Sequence, residues 1–169
     1  MSAFSPTQAV RLLAELVELD RQVRSRRQSL TLQQKQRRMQ IAQDLSRFAL
    51  ERQRAGWLGT GEQRREPRAN VRLRVQLMGG PHAVELQSDS LAVGGMSLTL
   101  GFASRLNDLL HLRMVPAPPD DPVEIEAEII WINAARQRVG VRFIDLPEEG
   151  REMIERLIFA DLVGSGVPR

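Results

Sequence analysis

The chain has 169 residues, enough for one ordinary domain and an appendage, and its 42% apolar and 27% charged content excludes an intrinsically disordered chain. It has no cysteine, which excludes disulfides, thiol catalysis and cysteine-based zinc sites. The net charge of +3 is unevenly spread, because residues 1–56 hold eleven basic and five acidic groups and the remainder is net acidic.

No stretch approaches the length of a membrane span, and the N-terminus lacks a basic run followed by a long apolar one. No secretory signal is therefore expected, and a cytoplasmic protein is. The high arginine content raises the isoelectric point without pointing to nucleic acid. Aromatic residues are 4% with no tyrosine, so the core must be built from Leu, Val, Ile and Met.

From Pro6 to Arg54 the chain reads as helix. Pro6 suits a first helical position after Ser5. Leu12, Leu16, Leu19 and Val23 repeat at helical spacing, widened by Leu13 and Val17. A second stripe runs through Ile41, Leu45, Phe48 and Arg52, flanked by Met39, Ala42 and Ala49. Thr31 followed by Gln34 fits a capping box, which predicts two helices with a turn near Ser29 to Thr31. One long helix is the alternative. An isolated helical hairpin is marginal in water, so its apolar faces need the body of the protein or another subunit.

The stretch "AGWLGTGEQRREPR" reads as a linker, broken by Gly56, Gly59 and Gly61. From Ala69 the chain becomes a run of short strands. Val71 to Met78 alternates, and "GGPH" turns into "AVELQSDSL". "AVGGMSLTL" sets a Gly-Gly turn before a third strand, and "DLLHLRMV" is a fourth. "VEIEAEIIWI" places Val123, Ile125, Ala127, Ile129 and Trp131 on one face, with Glu124, Glu126 and Glu128 on the other. "VGVRFIDL" is the last strand. Such spacing predicts a small barrel or sandwich. "LPEEGREMIERLIFADL" closes the chain as an amphipathic helix, with Met153, Ile154, Leu157, Ile158 and Leu162 as its buried face.

Candidate chemistry is confined to one place. His82 and His111 lie far apart and outside any nucleophile or metal motif, and there is no phosphate-binding glycine loop before a helix. Catalysis is not expected, and no cofactor or metal. In "RREPRANVRL", Arg64 and Arg68 are four apart, with Arg65 between them and Pro67 favouring an extended path. Two guanidiniums so placed can fork around a phosphate or stack on a base.

That stretch, together with "SLAVGGMSL" and "VGVRFIDLPEEGREMIERLIF", resembles the PilZ domain family of bacterial cyclic di-GMP receptors over roughly Gln63 to Leu162. The resemblance implies an α+β chain that is mainly β: a six-stranded antiparallel barrel with a C-terminal helix, preceded here by the helical segment. The expected divisions are residues 1–56 (helical), 57–68 (arginine-bearing linker) and 69–169 (barrel and helix). It further implies that the arginine loop wraps cyclic di-GMP, with Arg64, Arg65 and Arg68 on phosphate or guanine and Ser90, Gly94 and Gly95 lining the base pocket. Aligned on Gly95, the family's Asp/Asn position is Ser90 and its Ser position is Ala92. The phosphate half of the motif is thus intact and the base half reduced. Two missing contacts at roughly 1 kcal/mol each weaken binding about ten- to a hundredfold. Asp89 is close in sequence, but strand alternation turns it away from Ser90.

Three readings follow. The first is a non-catalytic cyclic di-GMP effector that changes a partner or subunit contact. The second is a PilZ-type interaction or oligomerisation module, acting through its N-terminal helices, that has lost the ligand. The third, a nucleic-acid-binding barrel, lacks the aromatic stacking platform such proteins use.

Overall fold

The structure, a computed structural model, describes residues 5–26, 29–55, 66–79, 83–101, 103–118 and 120–164. The order of elements is α1 (Pro6–Arg26), α2 (Leu32–Ala55), β1 (Arg74–Leu77), β2 (Val84–Ala92), β3 (Gly95–Thr99), β4 (Leu109–Val115), β5 (Val123–Asn133), β6 (Arg138–Ile144) and α3 (Glu148–Gly164). Compactness divides the chain into one unit of Met1–Pro67 with Glu155–Arg169 and a second of Arg68–Ile154.

In the first unit the helices start where capping chemistry places them. Ser5 Oγ accepts the Gln8 N–H at 3.2 Å while Gln8 Oε1 accepts the Ser5 N–H at 2.9 Å, and Pro6 takes the first helical position. Thr31 and Gln34 make the same reciprocal pair at 3.3 and 2.9 Å. Two helices form rather than one. Ala9 and Leu16 of α1 are buried, as are Ile41, Ala42, Leu45, Phe48 and Ala49 of α2. Val17 and Met39, expected on those faces, are exposed. On α1 the buried stripe passes instead from Leu16 to Asp20, one turn on, and Asp20 is only 1% exposed.

A carboxylate buried this deeply needs partners. Asp20 accepts from Arg38 Nε of α2 at 2.8 Å and from Arg156 Nη1 of α3 at 2.6 Å, and Arg38 also reaches Glu155 at 3.3 Å. Charge-assisted bonds to a planar fork are the strong kind. Nearer the surface, Arg37 holds both oxygens of Glu15 at 2.7 Å and keeps the Glu15 carboxyl below its ordinary pKa. Ile158, Phe159 and Val163 complete the buried set from α3, where Leu157 and Leu162 are only half-buried.

The second unit is a closed antiparallel barrel in the order β1-β2-β3-β6-β5-β4. Alternation sends Val75, Leu91, Leu98, Leu112, Met114, Ile125, Ala127, Ile129, Val139 and Val141 inward. Glu124, Glu126 and Glu128 point away from that interior, as the alternation predicts. Trp131 does not follow Ile129 inward. The β5–β6 register shifts between Ile129 and Trp131, and the indole emerges 36% exposed.

The first strand is shorter than its alternating sequence. Its ladder covers only Arg74–Leu77, while on the other side of β2 the β2–β3 register shifts between Ser88 and Ser90. Before that ladder, buried Ser88 stands in for a strand partner. Its Oγ accepts the Leu73 N–H at 2.8 Å and donates to the Val71 carbonyl at 2.6 Å. Beyond it the chain rejoins β2 through a reciprocal backbone pair of Ala69 with Leu91, both bonds 2.9 Å. Among the described residues no helix is long and apolar enough to cross a membrane.

Candidate ligand-binding face

The outer face of β2, β3, β6 and β5 carries a patterned set of side chains, and the register sets its rows. In the first row Ala92 stands beside Gly95, Gly95 beside Arg142 and Arg142 beside Glu128, to which it is ion-paired. In the second, Ser90 stands beside Ser97, Ser97 beside Gly140 and Gly140 beside Trp131. In the third, Thr99 stands beside Arg138, and Arg138 beside Asn133.

Both glycines are required by close approach. A Cβ on Gly95 would run into the backbone carbonyl of Val141, and one on Gly140 into the Trp131 indole. The indole thus lies across the β6 backbone, in the same row as Ser90 and Ser97.

The Ala69–Leu91 pair fixes where the arginine segment enters. With Ala69 buried and paired to Leu91, exposed Arg68 runs beside Ala92 and exposed Asn70 beside Ser90. Arg64 and Arg65 lie outside the described residues, as does His82. His111 is exposed on β4 and pairs with Glu124 at 3.4 Å. Gly94 forms the β2–β3 turn, where its carbonyl accepts the Phe143 N–H at 3.0 Å. Of the six residues expected to bind ligand, Arg68, Ser90, Gly94 and Gly95 therefore gather around one end of the β2–β3 hairpin.

The polar network on this face is wider than the sequence motif. Ser90 Oγ and Ser97 Oγ are 2.9 Å apart, and Arg138 Nη2 donates to Ser97 Oγ at 3.4 Å. Arg138 Nε is ion-paired with Asp89 Oδ2 at 2.9 Å without a hydrogen bond, and that oxygen accepts from Thr99 Oγ1 at 3.2 Å. Asp89 is therefore not turned away from Ser90, contrary to simple alternation. The register shift between Ser88 and Ser90 breaks the period of two, so Ser88 points in while Asp89 and Ser90 both join the outer cluster. Ser97, Thr99, Arg138 and Trp131 were not singled out from the sequence as ligand contacts. The β2–β3, β3–β6 and β5–β6 registers bring them beside Ser90, and a local motif carries no register.

Beyond the third row lies an open pocket of about 430 Å³, lined by Leu100, Ile132, Asn133, Gln137, Arg138 and Val139 among others. Its rim is fixed by the Leu100 N–H on the Gln137 carbonyl at 2.9 Å, and by the 3₁₀ turn Ala134–Arg136, capped by the Asn133 side chain. Among the described residues no cluster of three histidine or acidic side chains is placed to hold a metal ion.

Comparison with known proteins agrees with this architecture. No curated protein is detectably similar in sequence. Among solved structures, the PilZ domain with c-di-GMP of YcgR from Escherichia coli is similar at TM-score 0.47 and 15% identity, over 62% of this chain and 95% of that one. The Bacillus subtilis inhibitor of motility MotI/DgrA is similar at TM-score 0.51 and 13% identity, over 63% of this chain and 54% of that one, a likeness of fold. A pathogenic protein from Xanthomonas campestris, described as a tetrameric PilZ domain self-assembled via a helical bundle, is similar at TM-score 0.37 and 16% identity, over 94% and 78% of the two chains. A family model of the PilZ domain matches residues 62–160, more than half of the chain, and the chain belongs to that family.

Proposed function

We propose that the protein is a non-catalytic, cytoplasmic effector that binds cyclic di-GMP on the outer face of the barrel and converts binding into a change of partner or subunit contact. In this reading residues 57–68 are the ligand-gripping segment, 69–169 the receptor and 1–56 the output. Arg64 and Arg68 clamp phosphate or stack on guanine, Arg65 supports them, and Ser90, Gly94 and Gly95 line the base site. The observation that carries the proposal is the Ala69–Leu91 pairing, which sets exposed Arg68 beside the β2–β3 hairpin where Ser90 and Gly95 lie. A permanently charged planar fork next to hydroxyls and bare glycine backbone suits a cyclic dinucleotide, with anionic phosphates and flat polar bases.

Calorimetric titration of cyclic di-GMP into the full chain tests this. Heat is expected from the wild type, with binding lost in Arg64→Ala and in Arg68→Ala and kept in Lys35→Ala. The absence of heat and of any thermal shift at high micromolar ligand would sink the proposal. Full affinity in both arginine variants would show that the clamp is misassigned. The second reading, an interaction or oligomerisation module without ligand, is favoured by two observations. Ala92 offers no polar group, and Val10, Val17, Leu32 and Met39 are exposed on the helices.

A further inference from the structure

Arg138 is held in place with most of its donors unspent. A guanidinium has five N–H donors in a planar fork. Nε is buried, and although it lies 2.9 Å from the Asp89 carboxylate its N–H does not point at the oxygen, so it makes no hydrogen bond. Nη2 reaches only Ser97, at the long distance of 3.4 Å. An arginine kept for a structural ion pair would align the two groups side by side, as Arg37 does with Glu15 at two distances of 2.7 Å. Here the carboxylate braces the guanidinium by charge alone, and the far edge of the fork has no partner among the described residues. The side chain is one-third exposed and lines the pocket of about 430 Å³ beyond the third row. The walls of that pocket include Leu100, Ile132 and Val139, apolar surface suited to the flat face of a ring.

We propose that Arg138, braced by Asp89, is a specificity-determining residue that reads guanine, donating from the outer edge of its fork to O6 and N7 of a base seated in this pocket. The inference rests on the cyclic di-GMP reading and extends it to a residue outside the sequence motif. The chemistry selects the base. Guanine presents two adjacent acceptors on that edge, matching two parallel N–H donors, whereas adenine presents N7 beside a donor amino group. Arg138 thus restores base recognition that Ala92 and Ser90 do not provide in the way of the family motif. The bulge at Asp89 makes this possible by carrying a carboxylate onto the outer face.

The test is calorimetric titration of the full chain with cyclic di-GMP and, separately, cyclic di-AMP. The wild type is expected to prefer cyclic di-GMP. Arg138→Ala and Arg138→Lys, which cannot offer the fork, should each weaken cyclic di-GMP roughly ten- to a hundredfold and leave cyclic di-AMP binding and the melting temperature unchanged. Arg74→Ala, an exposed arginine on β1, should alter neither nucleotide. Wild-type affinity for cyclic di-GMP in Arg138→Ala would overturn the inference, as would equal loss of both nucleotides, the mark of a phosphate contact. Equal binding of both nucleotides by the wild type would also overturn it. A wild-type chain that binds neither nucleotide fails the effector reading and this inference together. A wild type that binds alongside an unaffected Arg138→Ala removes this inference alone.

Discussion

Ala92 is where this face is poorest. It stands beside Gly95 in the first row and next to Arg68, and it offers a methyl group where the family motif has a hydroxyl. Position 92 is 6% exposed, so a small polar group there would be largely screened from water and its bond to a ligand correspondingly strong. Ala92→Ser adds one oxygen with little change of volume. It is expected to tighten cyclic di-GMP by about fivefold, the equivalent of roughly 1 kcal/mol for one added hydrogen bond. Titration of the variant beside the wild type checks this. Unchanged or weaker binding would mean that ligand does not approach the hairpin at the Ala92 row. Gly95 admits no such experiment, because any side chain there meets the β6 backbone itself rather than a movable neighbour.

At the scale of elements, the helices of the first unit are joined by a buried cluster of ion pairs around Asp20 and by the exposed Glu15–Arg37 pair. Asp20 is enclosed, and Arg38 and Arg156 beside it are 12% and 11% exposed, so removing the carboxylate leaves two guanidiniums short of charge in a poorly hydrated place. Asp20→Ala is expected to lower stability by about 3–5 kcal/mol in urea denaturation. A loss below about 1 kcal/mol would show that Glu155 and water had taken over both arginines. The Glu15–Arg37 pair is more than a third exposed on both sides, so it is worth less than about 1 kcal/mol despite its geometry. Its hydrogen bond to Arg37 lowers the Glu15 pKa in the folded state. Its contribution is therefore complete above 4.5, the ordinary glutamate value, and fades as pH falls through the lower folded value. The melting-temperature difference between wild type and Glu15→Gln should be present at neutral pH and vanish in acid. A difference that persisted there would mean that the two side chains interact without charge. The capping pair Thr31–Gln34 and the alternation of β2 to β6 were legible in the sequence because both are local patterns. Asp20 was not, because its partners Arg38 and Arg156 are 18 and 136 positions away. Nor were the positions of Asp89 and Trp131, since each depends on a register shift that periodicity alone does not reveal.

On the scale of the whole molecule, the described residues proposed to read ligand and the Asp20 network belong to different units. Arg68, Ser90, Gly95, Ser97 and Arg138 fall within Arg68–Ile154, while Asp20, Arg38, Glu155 and Arg156 fall within the helical unit. A receptor that only stores ligand needs the first set. An effector needs ligand at the first set to alter the second, which requires ligand to bind two states of the helices with different affinity. Hydrogen–deuterium exchange of the full chain with and without saturating cyclic di-GMP separates these cases. Slower exchange is expected at β2, β3 and β6 in either case, since bound ligand stabilises the barrel by mass action. For an effector, α1 and α2 amides should change as well, and that change should disappear in Arg68→Ala. Protection confined to the barrel would remove the output assigned to residues 1–56 and leave a binding domain whose helices do not respond to its ligand.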